Sequence, residues 1–175
     1  MTMSQEKAFI PLNIAVLTIS DSRSDATDKS GKVLVDKLTS AGHQLAEKSI
    51  VPDDKYQLRA ILSRWIADPK IEIVLTTGGT GLTGRDITPE AFQPLFDKAI
   101  EGFGELFRYI SYQKIKTSTI QSRAFAGIAN GTAIFCLPGS PGACKDGWDD
   151  ILVYQLDIRQ PPCNLVEIMP RMKER

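Results

Sequence analysis

The first strong pattern along the chain is Ile14-Ala15-Val16-Leu17-Thr18-Ile19, a continuous apolar run rich in branched side chains. It reads as a strand buried on both faces. The polar stretch Ser20-Asp21-Ser22-Arg23-Ser24-Asp25 follows as a loop. Over residues 30–41, Val33, Leu34 and Leu38 fall on one side of a helix, and Gly42 supplies its stop. A weaker strand is expected over 45–51. Pro52-Asp53-Asp54 opens a second helix in which Leu58, Ile61, Leu62 and Trp65 share a face, and Pro69 keeps it from continuing. Ile71-Glu72-Ile73-Val74-Leu75 is the next strand, running into the loop Thr76 to Asp86. Thr88 can cap a helix whose first turn takes Pro89. Helices are expected over 89–100, 105–114 and 119–128. Asn130-Gly131 is a turn signal, 132–137 a third confident strand, and Pro138-Gly139-Ser140-Pro141-Gly142 a tight loop. The last helix is expected over 143–157, and Pro161-Pro162 ends regular structure.

Strands alternating with helices predict an α/β fold, a mostly parallel central sheet with helices on both faces. At roughly 100–200 residues per domain, the 175 residues make one domain. Its core is expected over 13–157, with tails at 1–12 and 158–175. Ligands of such sheets bind beyond the carboxyl ends of the strands. The three confident strands end in Ser20-Asp21-Ser22, in Thr77-Gly78-Gly79-Thr80-Gly81 and in Pro138-Gly139-Ser140-Pro141. If the strands are parallel, the three loops share one rim.

Composition narrows the choice. Lys plus Arg is 21 and Asp plus Glu is 21, so the formal net charge is zero. No basic excess points to nucleic acid. The single histidine, His43, excludes sites needing two His ligands within one chain and is expected to be a surface or structural residue. Three cysteines, Cys136, Cys144 and Cys163, form no CxxC, and their odd number argues for a reducing compartment. Residues 1–7 lack the pattern of a secretory signal. The longest uncharged stretch, 124–144, holds four glycines and two prolines and cannot read as a membrane helix. The expectation is a cytoplasmic protein.

The glycine-rich loop points to phosphate. Gly78, Gly79 and Gly81 let backbone N–H groups approach an anion, and Thr77, Thr80 and Thr83 add hydroxyls. Gly79 to Gly84 also fits G-x-G-x-x-G, but the acidic residue expected about 20 positions on falls here in or beside helix, at Asp97 or Glu101. The Gly-Lys-Ser/Thr ending of a P-loop is absent. Arg85 can pair with phosphate. Asp86, beside an anion site, either holds a cation that bridges to phosphate or only favours a helix N-terminus. Asp53 poses the same choice between a site residue and an N-cap. Ser140 offers a hydroxyl and nearby N–H groups for a second phosphate.

These motifs together resemble the MoaB/MogA family of molybdenum-cofactor biosynthesis. The resemblance rests on Thr77 to Gly81, Arg85-Asp86-Ile87-Thr88-Pro89-Glu90 and Pro138 to Pro141. It extends to Ile19 to Arg23, Asp28 with Ser30-Gly31, Val51 to Asp54, Gly102 to Glu105 and Ser122-Arg123, in order from about residue 12 to 157. Length and the Pro162-Cys163-Asn164 tail lean toward MoaB. The resemblance implies a three-layer α/β/α fold, trimeric or hexameric, that binds molybdopterin, a pterin with a terminal phosphate. It implies adenylyl transfer from Mg-ATP to that phosphate, with Asp86 and Asp53 as catalytic residues and Mg²⁺ ligands. Ser20, Asp21, Thr77, Gly78, Gly79, Thr80, Gly81, Arg85, Pro138, Gly139, Ser140 and Pro141 would bind substrate and phosphates. The segment 85–88 has the form expected of active members. A non-catalytic pterin carrier is the alternative, and a nicotinamide-nucleotide-binding homologue a third. The tail Leu165-Val166-Glu167-Ile168-Met169 suggests a partner surface.

Overall fold

The sheet is mixed: helical crossovers join its parallel strands, and antiparallel strands close one edge. A computed structural model describes residues 7–174; the reading of 1–6 as free of a leader lies outside them. Strand β1 (Asn13–Ile19) is followed by helix α1 (Lys29–Ser40), β2 (Gln44–Val51), α2 (Lys55–Ala67) and β3 (Ile73–Thr77). Then come α3 (Thr88–Phe92), the two-residue β4 (Lys98–Ala99), α4 (Glu101–Ile115), β5 (Phe125–Ala129), β6 (Thr132–Leu137) and α5 (Pro141–Gly147). β1 pairs in parallel with β2 and with β3, and β3 with β6. β5 and β4 complete the six-stranded sheet in antiparallel pairing.

Both faces of the sheet are covered. Ile14 and Val16 of β1 join Ile73, Leu75 and Phe135 in a core with α1, α4 and α5. Ala15, Leu17 and Ile19 turn the other way, with Val74, Ile134 and Cys136, against α2 and α3. The period-2 alternation of strand side chains thus splits unbroken apolar runs between two cores. This is the three-layer α/β/α arrangement. The crossover through α1 runs from β1 toward β2 and that through α2 returns toward β3. The topological switch therefore lies between β1 and β3.

Several local expectations change. The helix expected over 89–100 stops at Phe92; residues 93–95 form a 3-10 turn, and Lys98–Ala99 pairs with β5. The helix expected over 119–128 does not exist. A 3-10 segment, Lys116–Gln121, leads instead into β5. The reason is the turn Asn130-Gly131, where both residues take positive φ, 49° and 79°. Such a turn closes a two-residue hairpin, so it folds Phe125–Ala129 back onto β6 although Ala126, Gly127 and Ala129 have little strand character of their own. The expected helix over 143–157 begins as α5, widens into a π-helical turn at Trp148–Leu152 and ends as α6 (Val153–Gln155).

Regular structure also resumes beyond Pro161-Pro162, as α7 (Leu165–Ile168). Val166 is buried there, and Leu165 and Met169 pack on the first core. Ile168 of the same apolar tail stays 47% exposed. His43 is buried rather than at the surface: its Nδ1 accepts the Leu12 N–H at 3.1 Å, fixing the entry to β1. Burial lowers its pKa, and the Asp157 charge opposes that only in part. Among the described residues no helix is long and apolar enough to cross a membrane.

Candidate active site

Parallel pairing brings the ends of β1, β3 and β6 to one rim, where they surround an open pocket of about 810 Å³. Ser20, Thr77, Gly78, Gly79, Thr80, Gly81, Arg85, Pro138, Gly139 and Ser140 all line it, together with Asp53 and Asp86. Two of the expected residues do not. Asp21 is engaged with Arg85 beside the pocket, and Pro141 is the first residue of α5.

The glycine loop is held by its neighbours. Gly78 N–H donates to the Leu137 carbonyl at 3.0 Å, and the Thr77 hydroxyl donates to the Pro138 carbonyl at 2.8 Å. Thr88 does not cap α3. Its hydroxyl donates to the Gly78 carbonyl at 2.9 Å and its N–H to the Gly79 carbonyl at 3.0 Å. At Gly78, φ is +109° and an added Cβ would lie 2.2 Å from the Ile19 carbonyl oxygen. Only glycine fits there. Ser140 is the N-cap of α5, its Oγ accepting the Ala143 N–H at 3.1 Å.

The charged side chains are arranged in a chain. Arg85 does not point free toward an anion. Its Nε and Nη2 donate to the Asp21 carboxylate at 2.9 and 2.7 Å. The same carboxylate accepts the Asp53 N–H at 3.0 Å, so Asp21 ties three loops together. The Arg85 bonds hold the Asp21 carboxyl below the usual carboxylate range. Asp53 is not an N-cap; Asp54 fills that place on α2, accepting N–H groups of Tyr56 and Gln57. The Asp53 carboxylate has no side-chain hydrogen bond among the described residues and takes only a backbone contact from Asp21. Burial raises its pKa, and the Asp21 and Asp86 charges add to the rise.

Asp86 is the opposite case. Its Oδ2 accepts the Thr83 N–H at 2.9 Å and the Thr83 hydroxyl at 2.7 Å. Burial works to raise its pKa, but these bonds and that from Gly81 bring it below the usual value. Among the described residues no group of three or more His, Cys, Asp or Glu side chains is placed to hold a metal ion. What the pocket offers is a pair of carboxylates. One, Asp53, has no side-chain partner; the other, Asp86, is fixed in its loop.

The pocket has a second arm that the sequence reading missed. Phe107, Ser111 and Lys114 of α4 line it, with Ser118, Gln121 and Ser122 beyond the helix. Their separations of three and four mark one helical face, the signal that could have found them. Lys114 reaches across to Asp146. Cys144 lies beneath the rim, but burial pushes its thiol to about 12, so it is no nucleophile.

Comparison with known proteins bears on this geometry. Residues 15–158 match the family model described as "Probable molybdopterin binding domain". Molybdenum cofactor biosynthesis protein B of Escherichia coli K12 is 52% identical over 156 residues, covering 89% of this chain and 92% of that one. The protein of the same name from Bacillus subtilis is 42% identical, covering 89% and 94%. Among solved structures, a molybdenum cofactor biosynthesis protein B superposes with a TM-score of 0.86 at 36% identity, over 97% of this chain and 100% of the other. The tungsten cofactor synthesizing protein MoaB from Pyrococcus furiosus gives 0.77 at 35% identity, over 94% and 98%. With the family match spanning the strands and loops that build the pocket, the chain belongs to the molybdopterin-binding domain family of molybdenum cofactor biosynthesis, in its MoaB/MogA branch.

Proposed function

We propose that the chain catalyses adenylyl transfer to molybdopterin. A terminal phosphate oxygen of the pterin attacks the α-phosphorus of ATP. The bond from that phosphorus to the bridging oxygen breaks, and pyrophosphate leaves. The observation that carries this reading is the meeting, in one pocket, of Asp53 and Asp86 with a glycine loop and the start of α5. In such transfers a protein contributes positioning and charge stabilisation. No general base is needed, because a phosphate nucleophile is already ionised at neutral pH. Backbone N–H groups of Gly79 and Thr80 and the Ser140 turn would hold phosphates, with Arg85 swinging from Asp21 or neutralising charge beside it.

The donors fit Mg²⁺. The ion takes oxygen ligands and is commonly bound by one or two carboxylates plus substrate phosphates. Asp53 is a half-buried carboxylate without a side-chain hydrogen bond, near the charges of Asp21, Arg85 and Asp86. It and Asp86 would hold the ion. Bound Mg²⁺ supplies charge neutralisation across the phosphates. The test is to mix purified chain, molybdopterin and Mg-ATP and to look for adenylyl-molybdopterin by mass spectrometry. Product that depends on Mg²⁺ and is lost in Asp86→Asn supports the reading.

One observation favours the non-catalytic carrier. The Asp86 carboxylate is engaged within its own loop and Arg85 with Asp21, as a rigid cradle would have them. Pterin binding without product would select it.

A further inference from the structure

Arg123 is absent from the pocket lining, yet it bonds to three residues that are in it. Its Nε donates to the Gly81 carbonyl at 2.8 Å and its Nη2 to the Asp86 carbonyl at 2.7 Å. Its Nη1 meets the Glu90 carboxylate on α3. Its backbone N–H donates to the Thr80 carbonyl at 2.9 Å. One residue thus grips both ends of the loop 81–86, from behind the site.

That loop has little else to hold it. Residues 82–85 are exposed, and Leu82 is 65% exposed. Within itself the loop is closely bonded: Asp86 N–H to the Thr83 carbonyl at 3.0 Å, and Thr83 to the Asp86 carboxylate as described. Those bonds close within the loop and do not tie it to the core. Its second anchor is the Arg85–Asp21 pair, whose Arg85 side chain is 66% exposed and open to screening. The Arg123 side chain is 30% exposed. Its own segment is braced in turn by Arg108 of α4, which donates to the Ala124 carbonyl at 2.8 Å.

We infer that Arg123 is a positioning residue, fixing the Asp86-bearing loop against Asp53 without touching substrate. A planar guanidinium can serve two carbonyls and a carboxylate at once. Lysine offers one compact ammonium and can replace only part of the grip. Loss of the grip frees both ends of the loop and loosens the bonds between Thr83 and Asp86 inside it, and displacement of about 1 Å can cost on the order of 100-fold in rate. The Gly79 N–H stays in place to hold phosphate, because Thr88 binds the Gly78 and Gly79 carbonyls and the Gly78 N–H is tied to Leu137.

The experiment rests on the transferase reading for one arm and stands without it for the other. In the first arm, kcat and KM for ATP and molybdopterin are measured for wild type, Arg123→Ala and Arg123→Lys. The expected result is a kcat loss on the order of 100-fold in the alanine variant, with KM little changed. The lysine variant falls between, and added guanidinium ion restores part of the alanine variant's kcat. Wild-type kcat in Arg123→Ala, or a raised KM alone, overturns the inference. In the second arm, amide hydrogen exchange is followed in the same variants. Faster exchange at Thr83 and Asp86 with unchanged β1 and β3 supports it. Unchanged loop exchange, or acceleration throughout the sheet, overturns it. Should wild type make no product, the transferase reading fails and the exchange arm alone decides the role of Arg123.

Discussion

Asp53 and Asp86 share a pocket but sit in opposite environments, and substituting each should separate function from stability. Asp86 is bonded within its loop and its pKa is lowered; Asp53 has no such bonds and its pKa is raised by burial and by like charge. An acid with a raised folded-state pKa destabilises the fold once pH exceeds its unfolded value near 3.8, increasingly up to the folded pKa. Asp53→Asn removes that cost. It should raise the thermal midpoint at pH 7 while lowering transferase turnover, a trade of stability against function. Thermal melts of both proteins check it, and an unchanged or lower midpoint counts against the argument. Asp86→Asn should cost about 10²–10³ in turnover, the scale for one electrostatic group at a reacting centre. Gly78→Ala should destabilise by about 1–3 kcal/mol in urea unfolding, since its φ of +109° and the Ile19 carbonyl leave no place for a methyl. These residues were legible as loop chemistry. The partner of Arg85 was not, because Asp21 lies 64 positions away and nothing local points to it.

Among the elements, α1 shows how a helix start can hold a loop of the site. Asp28 is its N-cap, accepting the Gly31 N–H at 2.9 Å and the Thr18 hydroxyl at 2.8 Å. Lys48 of β2 pairs with the same carboxylate at 3.1 Å. Burial works to raise the pKa of Asp28, but these partners outweigh it and the net shift is downward. Stability from such a group is present above the unfolded value near 3.8 and is lost as pH falls through the lower, folded value. Asp28→Asn should therefore flatten the acid limb of the thermal midpoint against pH, and Asp28→Ala should cost about 0.5–2 kcal/mol at pH 7 through the cap. An acid limb as steep in Asp28→Asn as in wild type would refute the assignment. Strongly periodic or continuously apolar segments, such as β1 and α2, could be read from the chain. β5 could not, since its small residues gain strand geometry only from the hairpin turn and the ladder to β6. β4, two residues long, exists only as an addition to β5.

For the whole molecule, the doubly wound topology followed from the alternation of strands and helices, and with it the location of the pocket at the switch between β1 and β3. The second arm of the pocket did not follow, because it depends on how α4 lies across the sheet. That helix also bears on assembly. The 165–169 tail leaves only Ile168 well exposed, at 47%, so a trimer or hexamer has a second surface to draw on. The outer side of α4 supplies a candidate: Leu106, Tyr109 and Tyr112 follow at intervals of three and are 44%, 67% and 46% exposed. Contiguous exposed apolar side chains commonly mark association sites, and tyrosines suit an interface that is apolar at its centre and polar at its edge. Light scattering should give a mass that is a multiple of the 19.3 kDa chain. Tyr109→Glu sets a charge in the middle of the stripe and should shift the mass downward, with the far-ultraviolet dichroism unchanged because the side chain is not in the core. A monomer mass for the wild type refutes the assembly. An oligomer that survives Tyr109→Glu moves the interface away from α4.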